Sequence, residues 1–228
     1  LMGLLRRESP DVVMSSMADV TVPLAMAFAL MPGRRRRTRW IAREGNHTRA
    51  VMEEAFPNPS QRHWVEKLIR WAYRSADACL AISQGVGRGL TEHYGVDPAR
   101  LRVIGNPVDL EEVRAGTRTP LEMALPKRFV VGVGRLAYQK GFALLIEAFG
   151  KLDDAALELV LVGTGPEEAA LRAQAEGLGL ASRTHFTGFV QHPSAVMARA
   201  QVFCLPSRWE GFGHVVVEAL ARLSLMHI

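Results

Sequence analysis

Short apolar runs alternate along this chain with segments whose apolar positions recur every three to four residues, and the alternation is most regular from residue 129 onward. Phe129-Val-Val-Gly-Val133, Leu157-Glu-Leu-Val-Leu-Val162, Thr184-His-Phe-Thr187 and Val202-Phe-Cys-Leu205 read as strands. Between and after them, the spacing of Phe142, Leu145, Ile146, Phe149 and Leu152 predicts a helix, as do Ala169 to Leu178, Pro193 to Ala200 and Val215 to Leu223. Strands separated by single helices need crossover connections, so this half predicts a parallel sheet with helices on its faces, a Rossmann-like α/β unit. The first half is less periodic. Asp11 to Met14, Arg39 to Ala42, Ala78 to Ile82 and Leu101 to Ile104 read as strands and Val20 to Met31 as a helix. A second helix is expected over His63 to Arg74, with Trp64, Leu68, Trp71 and Ala72 on one face, and Ser83 to Leu90 as a turn into another. Gly116, Pro120 and Pro126 interrupt a charged stretch without a period, which places a linker at 108–127 between domains at 1–107 and 128–228.

Composition narrows the class. Hydrophobic residues make up 48% and charged residues 22% of 228, the balance of a folded globular chain. Cys79 and Cys204 lie far apart in apolar surroundings and read as buried strand residues; no Cys/His spacing suggests zinc, and a reducing, cytoplasmic setting is expected. The apolar run Val22 to Met31 is too short to span a bilayer. The net charge of +5 is concentrated at Arg34 to Arg37 and Arg39, a solvated loop or a contact for an anionic membrane face. That cluster has no aromatic platform beyond Trp40, which argues against nucleic acid. Because residue 1 is Leu and the chain stops at a helix with no strand after it, it reads as a fragment truncated at both ends and inactive by itself.

Two stretches carry candidate chemistry. In Pro206-Ser-Arg-Trp-Glu-Gly-Phe-Gly-His-Val-Val-Val-Glu218, glycines at 211 and 213 permit close backbone approach to a ligand at the entry of a helix, where unpaired amides attract phosphate. Glu210 and Glu218 are acceptors suited to sugar or ribose hydroxyls; the alternative is a capped loop with one exposed acid and one helical acid. In Gly132-Val-Gly-Arg-Leu-Ala-Tyr-Gln-Lys-Gly141, Arg135 and Lys140 follow a strand, where α/β sheets place ligands, and two fixed cations there can neutralise a diphosphate. Two solvated surface cations are the alternative. A dinucleotide fingerprint at Gly132-x-Gly134-x-x-Ala137 fails in context, because Tyr138-Gln-Lys-Gly separates the glycines from the helix and the next strand ends in Gly163-Thr-Gly165 rather than an acid.

Gly-Arg-Leu with Gln-Lys-Gly, Leu-Val-Gly-Thr-Gly-Pro166, Phe186-Thr-Gly-Phe189 and Pro206-Ser-x-x-Glu-Gly-Phe-Gly, with a second glutamate eight residues after the first, together resemble the retaining glycosyltransferases of family 4. Trp71-x-Tyr-Arg-Ser-Ala-Asp-Ala-Cys-Leu-Ala-Ile-Ser and Arg102-Val-Ile-Gly-Asn-Pro-Val-Asp109 extend the resemblance through the first half. It implies the GT-B fold, an α/β architecture of two facing Rossmann-like domains, both incomplete here, and transfer of a hexosyl group from a nucleotide-diphosphate sugar to a saccharide, lipid-linked or other glycoconjugate acceptor. By the same resemblance Gly134, Arg135 and Lys140 hold the donor diphosphate and Glu218 the ribose. Glu210 faces the sugar, Gly211, Phe212 and Gly213 line sugar and phosphates, and Phe189 and Val190 lie near the base. Arg135, Lys140 and Glu210 form the catalytic group, Asn46 and His47 the acceptor side, and neither cofactor nor metal is expected. The family's glycine-rich loop near the N-terminus is missing, and the tail Arg222 to Ile228 departs from its pattern. A GT-B epimerase and a noncatalytic nucleotide-sugar-binding member are the competing readings.

Overall fold

A computed structural model describes residues 1–31, 33, 37–121 and 123–223. Arg34 to Arg36 of the basic cluster and the tail from Ser224 lie outside them. The chain divides into two compact units, Leu1–Asn106 with Glu210–Phe212, and Pro107–Trp209 with Gly213 onward.

The first unit is a parallel sheet of β1 (Val12–Ser16), β2 (Arg39–Glu44), β3 (Ala78–Ala81) and β4 (Leu101–Val103), in that spatial order. Its core joins Trp40 and Ala42 of β2 and Cys79 and Ala81 of β3 to Leu24, Ala25 and Phe28 of α2 (Ala18–Ala29). Ile69, Ala72 and Tyr73 of α4 (Pro59–Ser75) and Val86 and Leu90 of α5 (Gln84–Glu92) complete it. Trp40 is fully buried, and its indole N–H donates to Ser15 Oγ at 2.9 Å, so its one polar atom is satisfied inside the core. Two short helices, α1 (Met2–Glu8) and α3 (Thr48–Ala55), escape the periodicity of the sequence. The long helix α4 differs in its inward face. Trp64, Leu68 and Trp71 are exposed, and the sheet takes the stripe through Ile69, Ala72 and Tyr73.

The second unit carries the parallel strands β5 (Phe129–Val133), β6 (Glu158–Val162), β7 (Thr184–Gly188) and β8 (Val202–Phe203) in the order β7-β6-β5-β8. Period-two alternation sorts the side chains of β5 and β6 onto two faces. Val130, Leu159 and Leu161 pack with α7 (Phe142–Phe149) and α8 (Glu168–Gly177); Val131, Val133, Val160 and Val162 pack with α9 (Pro193–Met197) and α10 (His214–Leu223). A sheet covered on both sides explains why β5 is buried from end to end. Over 108–127 the structure places α6 (Leu110–Thr117), capped by Asp109, whose Oδ1 accepts from Glu111 N and Glu112 N at 2.9 and 3.0 Å. This stretch belongs to the second unit: Leu121 and Leu125 pack on its core, and a Cβ at Gly116 would stand 2.4 Å from Ser194 Oγ on α9.

Candidate functional site

In the second sheet β6 and β7 lie on one side of β5 and β8 on the other, so the strand order reverses between β5 and β8. The crevice outside the carboxyl ends of such a pair is where open α/β sheets bind ligands. Gly134, Arg135 and Lys140 occupy the loop after β5, and this loop is tied to the one after β8. Arg208 N donates to Gln139 O at 2.8 Å, and Gln139 Nε2 donates to Trp209 O at 3.0 Å. The Arg208 guanidinium lies 4.2 Å from the centre of the Tyr138 ring. Gly141 has φ 65°, and a Cβ on it would sit 2.3 Å from Pro206 O, so only glycine lets the two loops meet. The Lys140 methylenes lie 3.5 Å from where a Gly134 Cβ would stand, which places the lysine stem across the glycine beside the exposed Arg135.

A crevice of about 550 Å³ opens at this edge, lined by Val133, Gly134, Arg135, Gly163 to Pro166, Phe189, Val190 and Pro193. Its floor is backbone. Gly134 N donates to Val162 O at 3.0 Å, Leu136 N to Thr164 O at 2.9 Å and Gly163 N to Gly188 O at 2.8 Å, so pairing continues past the strand ends. Phe189, 80% exposed, stands at the rim. Glu218 lines a neighbouring crevice of about 260 Å³ that shares Pro193 and is rich in acceptors: Asp109, Glu112, His192 and His214. The sequence singles out none of these four as a ligand; Asp109 alone stands in a motif, Asn-Pro-Val-Asp109, that carries part of the resemblance. Gly134, Arg135 and Val190 therefore come together in one crevice, while Glu218 lines the next. Gly213 belongs to the second unit, whereas Glu210, Gly211 and Phe212 group with the first. Among the described residues no group of three or more His, Cys, Asp or Glu side chains is arranged to hold a metal ion.

In the first unit Asn46 and His47 follow β2 in a turn fixed from inside. Glu44, 1% exposed, accepts from Gly45 N at 2.7 Å and Asn46 N at 2.9 Å through one oxygen, and from the Tyr73 hydroxyl through the other. Burial, and then the Glu44 charge, push the Tyr73 phenol well above its usual range, so it stays a donor. Asn46 Oδ1 accepts from His47 N at 2.8 Å, and His47 Nδ1 caps α3 by accepting from Ala50 N at 3.4 Å. With Nδ1 an acceptor, the neutral His47 ring carries its proton on Nε2. Asn46 and His47 are thus held in register by a buried carboxylate that the sequence reading overlooked; its signal was an acid ending the strand Arg39–Glu44 just before a glycine.

Two parallel α/β units, one with a glycine-tight crevice at the carboxyl ends of its strands, define the Rossmann-like class. Residues 1–112 match the model of Glycosyltransferase Family 4, and residues 116–223 that of Glycosyl transferases group 1. The chain belongs to these glycosyltransferases. It is 34% identical over 185 residues to N-acetylgalactosamine-N,N'-diacetylbacillosaminyl-diphospho-undecaprenol 4-alpha-N-acetylgalactosaminyltransferase of Campylobacter jejuni, an alignment covering 78% of this chain and 50% of the relative. It is 31% identical over 213 residues to the lipopolysaccharide core biosynthesis mannosyltransferase LpcC of Rhizobium leguminosarum bv. viciae, covering 83% and 58%. The crystal structure of Anabaena Alr3699/HepE in complex with UDP shares the fold, with a TM-score of 0.72 at 22% identity, over 96% of this chain and 60% of that one. Sucrose-phosphate synthase from Thermosynechococcus elongatus does so with a TM-score of 0.71 at 18% identity, over 96% and 56%. The architecture is GT-B, and the chain spans about half the length of the curated relatives it matches.

Proposed function

We propose that the protein to which these residues belong transfers a hexosyl group from a nucleotide-diphosphate sugar to a saccharide or lipid-linked acceptor, with retention at the anomeric carbon. The observation that carries the proposal is the crevice at the carboxyl ends of β5, β6 and β7 of the second unit, with Arg135 and Lys140 on the loop after β5 and a glycine-lined floor. The two cations bind the donor diphosphate and stabilise the charge that grows on it as the glycosidic bond breaks. Phe189 and Val190 hold the base, and the Glu218 carboxylate accepts from the ribose hydroxyls. Glu210 faces the transferred sugar with the backbone of Gly211 to Gly213, and Asn46 and His47 serve the acceptor side. Because protein cations meet the diphosphate, no divalent ion is required. The relative that bears an undecaprenol-linked diphosphate in its name supports a lipid-linked acceptor, reached at the cytoplasmic face of a membrane.

Calorimetric titration with nucleoside diphosphates and nucleotide-sugars, with Mg²⁺ and with chelator, tests the reading. Equal affinity in both is expected, and Lys140→Ala weakens it about tenfold to a hundredfold, the value of a charge-assisted contact. A folded protein that binds none of them, or binds only with Mg²⁺, overturns it.

A further inference from the structure

Trp64, Leu68 and Trp71 of α4 are 69%, 40% and 40% exposed, an unusual outlay of large apolar surface on one helix. At about 100° per residue they share an arc of roughly 60°. Lys67, Arg74, His63 and Arg70, all exposed, follow along one flank of that arc. Lys67 Nζ lies 4.8 Å from the centre of the Trp64 ring. The helix has one acid, Glu66, and it turns away from the stripe into a groove it shares with Arg49, Glu53, Arg62, Arg70 and Glu92, where the Arg70 guanidinium donates to His93 O at 2.7 Å. The opposite face, Ile69, Ala72 and Tyr73, is spent on the core.

We propose that this face of α4 lies on a lipid bilayer bearing anionic headgroups, with Trp64, Leu68 and Trp71 entering the interface and Lys67 and Arg74 meeting the phosphates. Three features select a bilayer over another protein surface. The stripe is narrower than the apolar face with which a helix packs into a core, and tryptophan is the side chain whose apolar body and single N–H suit the headgroup boundary. Lys67 and Arg74 border the stripe with no acid between them, complementary to an anionic surface, and their long stems let the charges reach the phosphates while the methylenes cover apolar area. The inference deepens the acceptor side of the proposed function and rests on the reading that the acceptor is lipid-linked; it places the membrane contact on a helix of the described structure, apart from the arginine run at 34–39, which the sequence leaves open between a solvated loop and a membrane contact.

Sedimentation of the protein with vesicles of phosphatidylcholine alone, and of phosphatidylcholine mixed with phosphatidylglycerol, tests it without any need for turnover. Strong partition into the mixed vesicles and weak partition into neutral ones is expected. Replacing Lys67 and Arg74 by Gln lowers the preference, each cation contributing about fivefold. Trp64→Ala with Trp71→Ala lowers partition into the mixed vesicles about tenfold or more. All these positions are exposed, so an unchanged circular dichroism spectrum and unchanged nucleotide affinity report an intact fold. Equal partition of parent and variants overturns the inference. So does self-association in the absence of lipid that the tryptophan substitutions abolish, since that marks the face as an interface between protein chains. Failure here leaves nucleotide binding untouched, so it is distinguishable from failure of the glycosyltransferase reading.

Discussion

Gly163→Ala is the sharpest test of the crevice. Gly163 follows β6 with φ 136°, a backbone setting that L-residues rarely adopt, and a Cβ built on it falls 2.0 Å from Gly134 O. The strained setting costs about 1–3 kcal/mol and the overpacking a further 1–3 kcal/mol. Against these, alanine narrows the unfolded ensemble by about 0.4–1 kcal/mol, which leaves a net loss of roughly 1–5.5 kcal/mol. That is a large share of the stability of a typical domain, about 5–15 kcal/mol in all. The chain can relieve the contact only by moving the loop after β5 away from β6, which gives up the Gly134 N to Val162 O hydrogen bond and displaces Arg135 and Lys140. Nucleotide affinity must therefore fall together with stability. Gly177→Ala is the control: Gly177 ends α8, nothing lies within 4 Å of its added Cβ, and its φ is not positive. There the same change stabilises by about 0.5–1 kcal/mol. Urea unfolding followed by circular dichroism, with calorimetric titration of a nucleoside diphosphate, reads both quantities. A Gly163→Ala protein within about 0.5 kcal/mol of the parent and with unchanged affinity would refute the argument that backbone contact sets this crevice.

Two further predictions concern the first unit. Tyr73→Phe removes one of the three donors to the buried Glu44 and should cost about 1.5–3 kcal/mol in urea unfolding, the value of a hydrogen bond to a charged group; a change within about 0.5 kcal/mol would mean that Glu44 is neutral or hydrated. Burial pushes the Cys79 thiol from 9.0 up to about 11, so the folded state keeps its proton while the unfolded chain loses it. This contribution to stability is fully present below pH 9 and is lost as pH rises to 11, about 2–3 kcal/mol in total, and the comparison of Cys79→Ala with the parent across that range isolates it.

What the sequence discloses and what it conceals divides along range of interaction. Phe129 to Val133 is an apolar run between Arg128 and Gly134, Leu159 to Val162 one between Glu158 and Gly163, and the strands fall within a residue of the expected ends. The short helices Met2–Glu8, Thr48–Ala55 and Leu110–Thr117 are too brief and polar for periodicity to register, although the caps at His47 and Asp109 mark two of them. Helix α4 offers two apolar stripes, and nothing local says which the sheet will cover; Tyr73 decides it, because its hydroxyl reaches Glu44 across 29 positions of sequence. Strand order is likewise hidden. β8 pairs with β5 through two residues, Val202 and Phe203, and that short pairing creates the switch point.

The glycines of the candidate site acquire their meaning from the same long-range pairing. All strands of a parallel sheet end on one edge, where each last carbonyl and each following amide must find a partner or face water. Around β5, β6 and β7 the loops satisfy one another: Val162 O takes Gly134 N, Thr164 O takes Leu136 N, and Gly188 O takes Gly163 N. Such pairing brings main chains closer than any Cβ allows, as the 2.0 Å and 2.2 Å overlaps at Gly163 and Gly165 show. The edge is rigid for this reason, and it is also free of side chains where a ligand must approach, with Arg135 and Lys140 set at its border. A ligand that meets such a floor finds backbone with little conformational freedom left to lose. On the proposed donor reading, the glycines at 134, 163 and 165 serve affinity by shaping this floor, though they donate no charge.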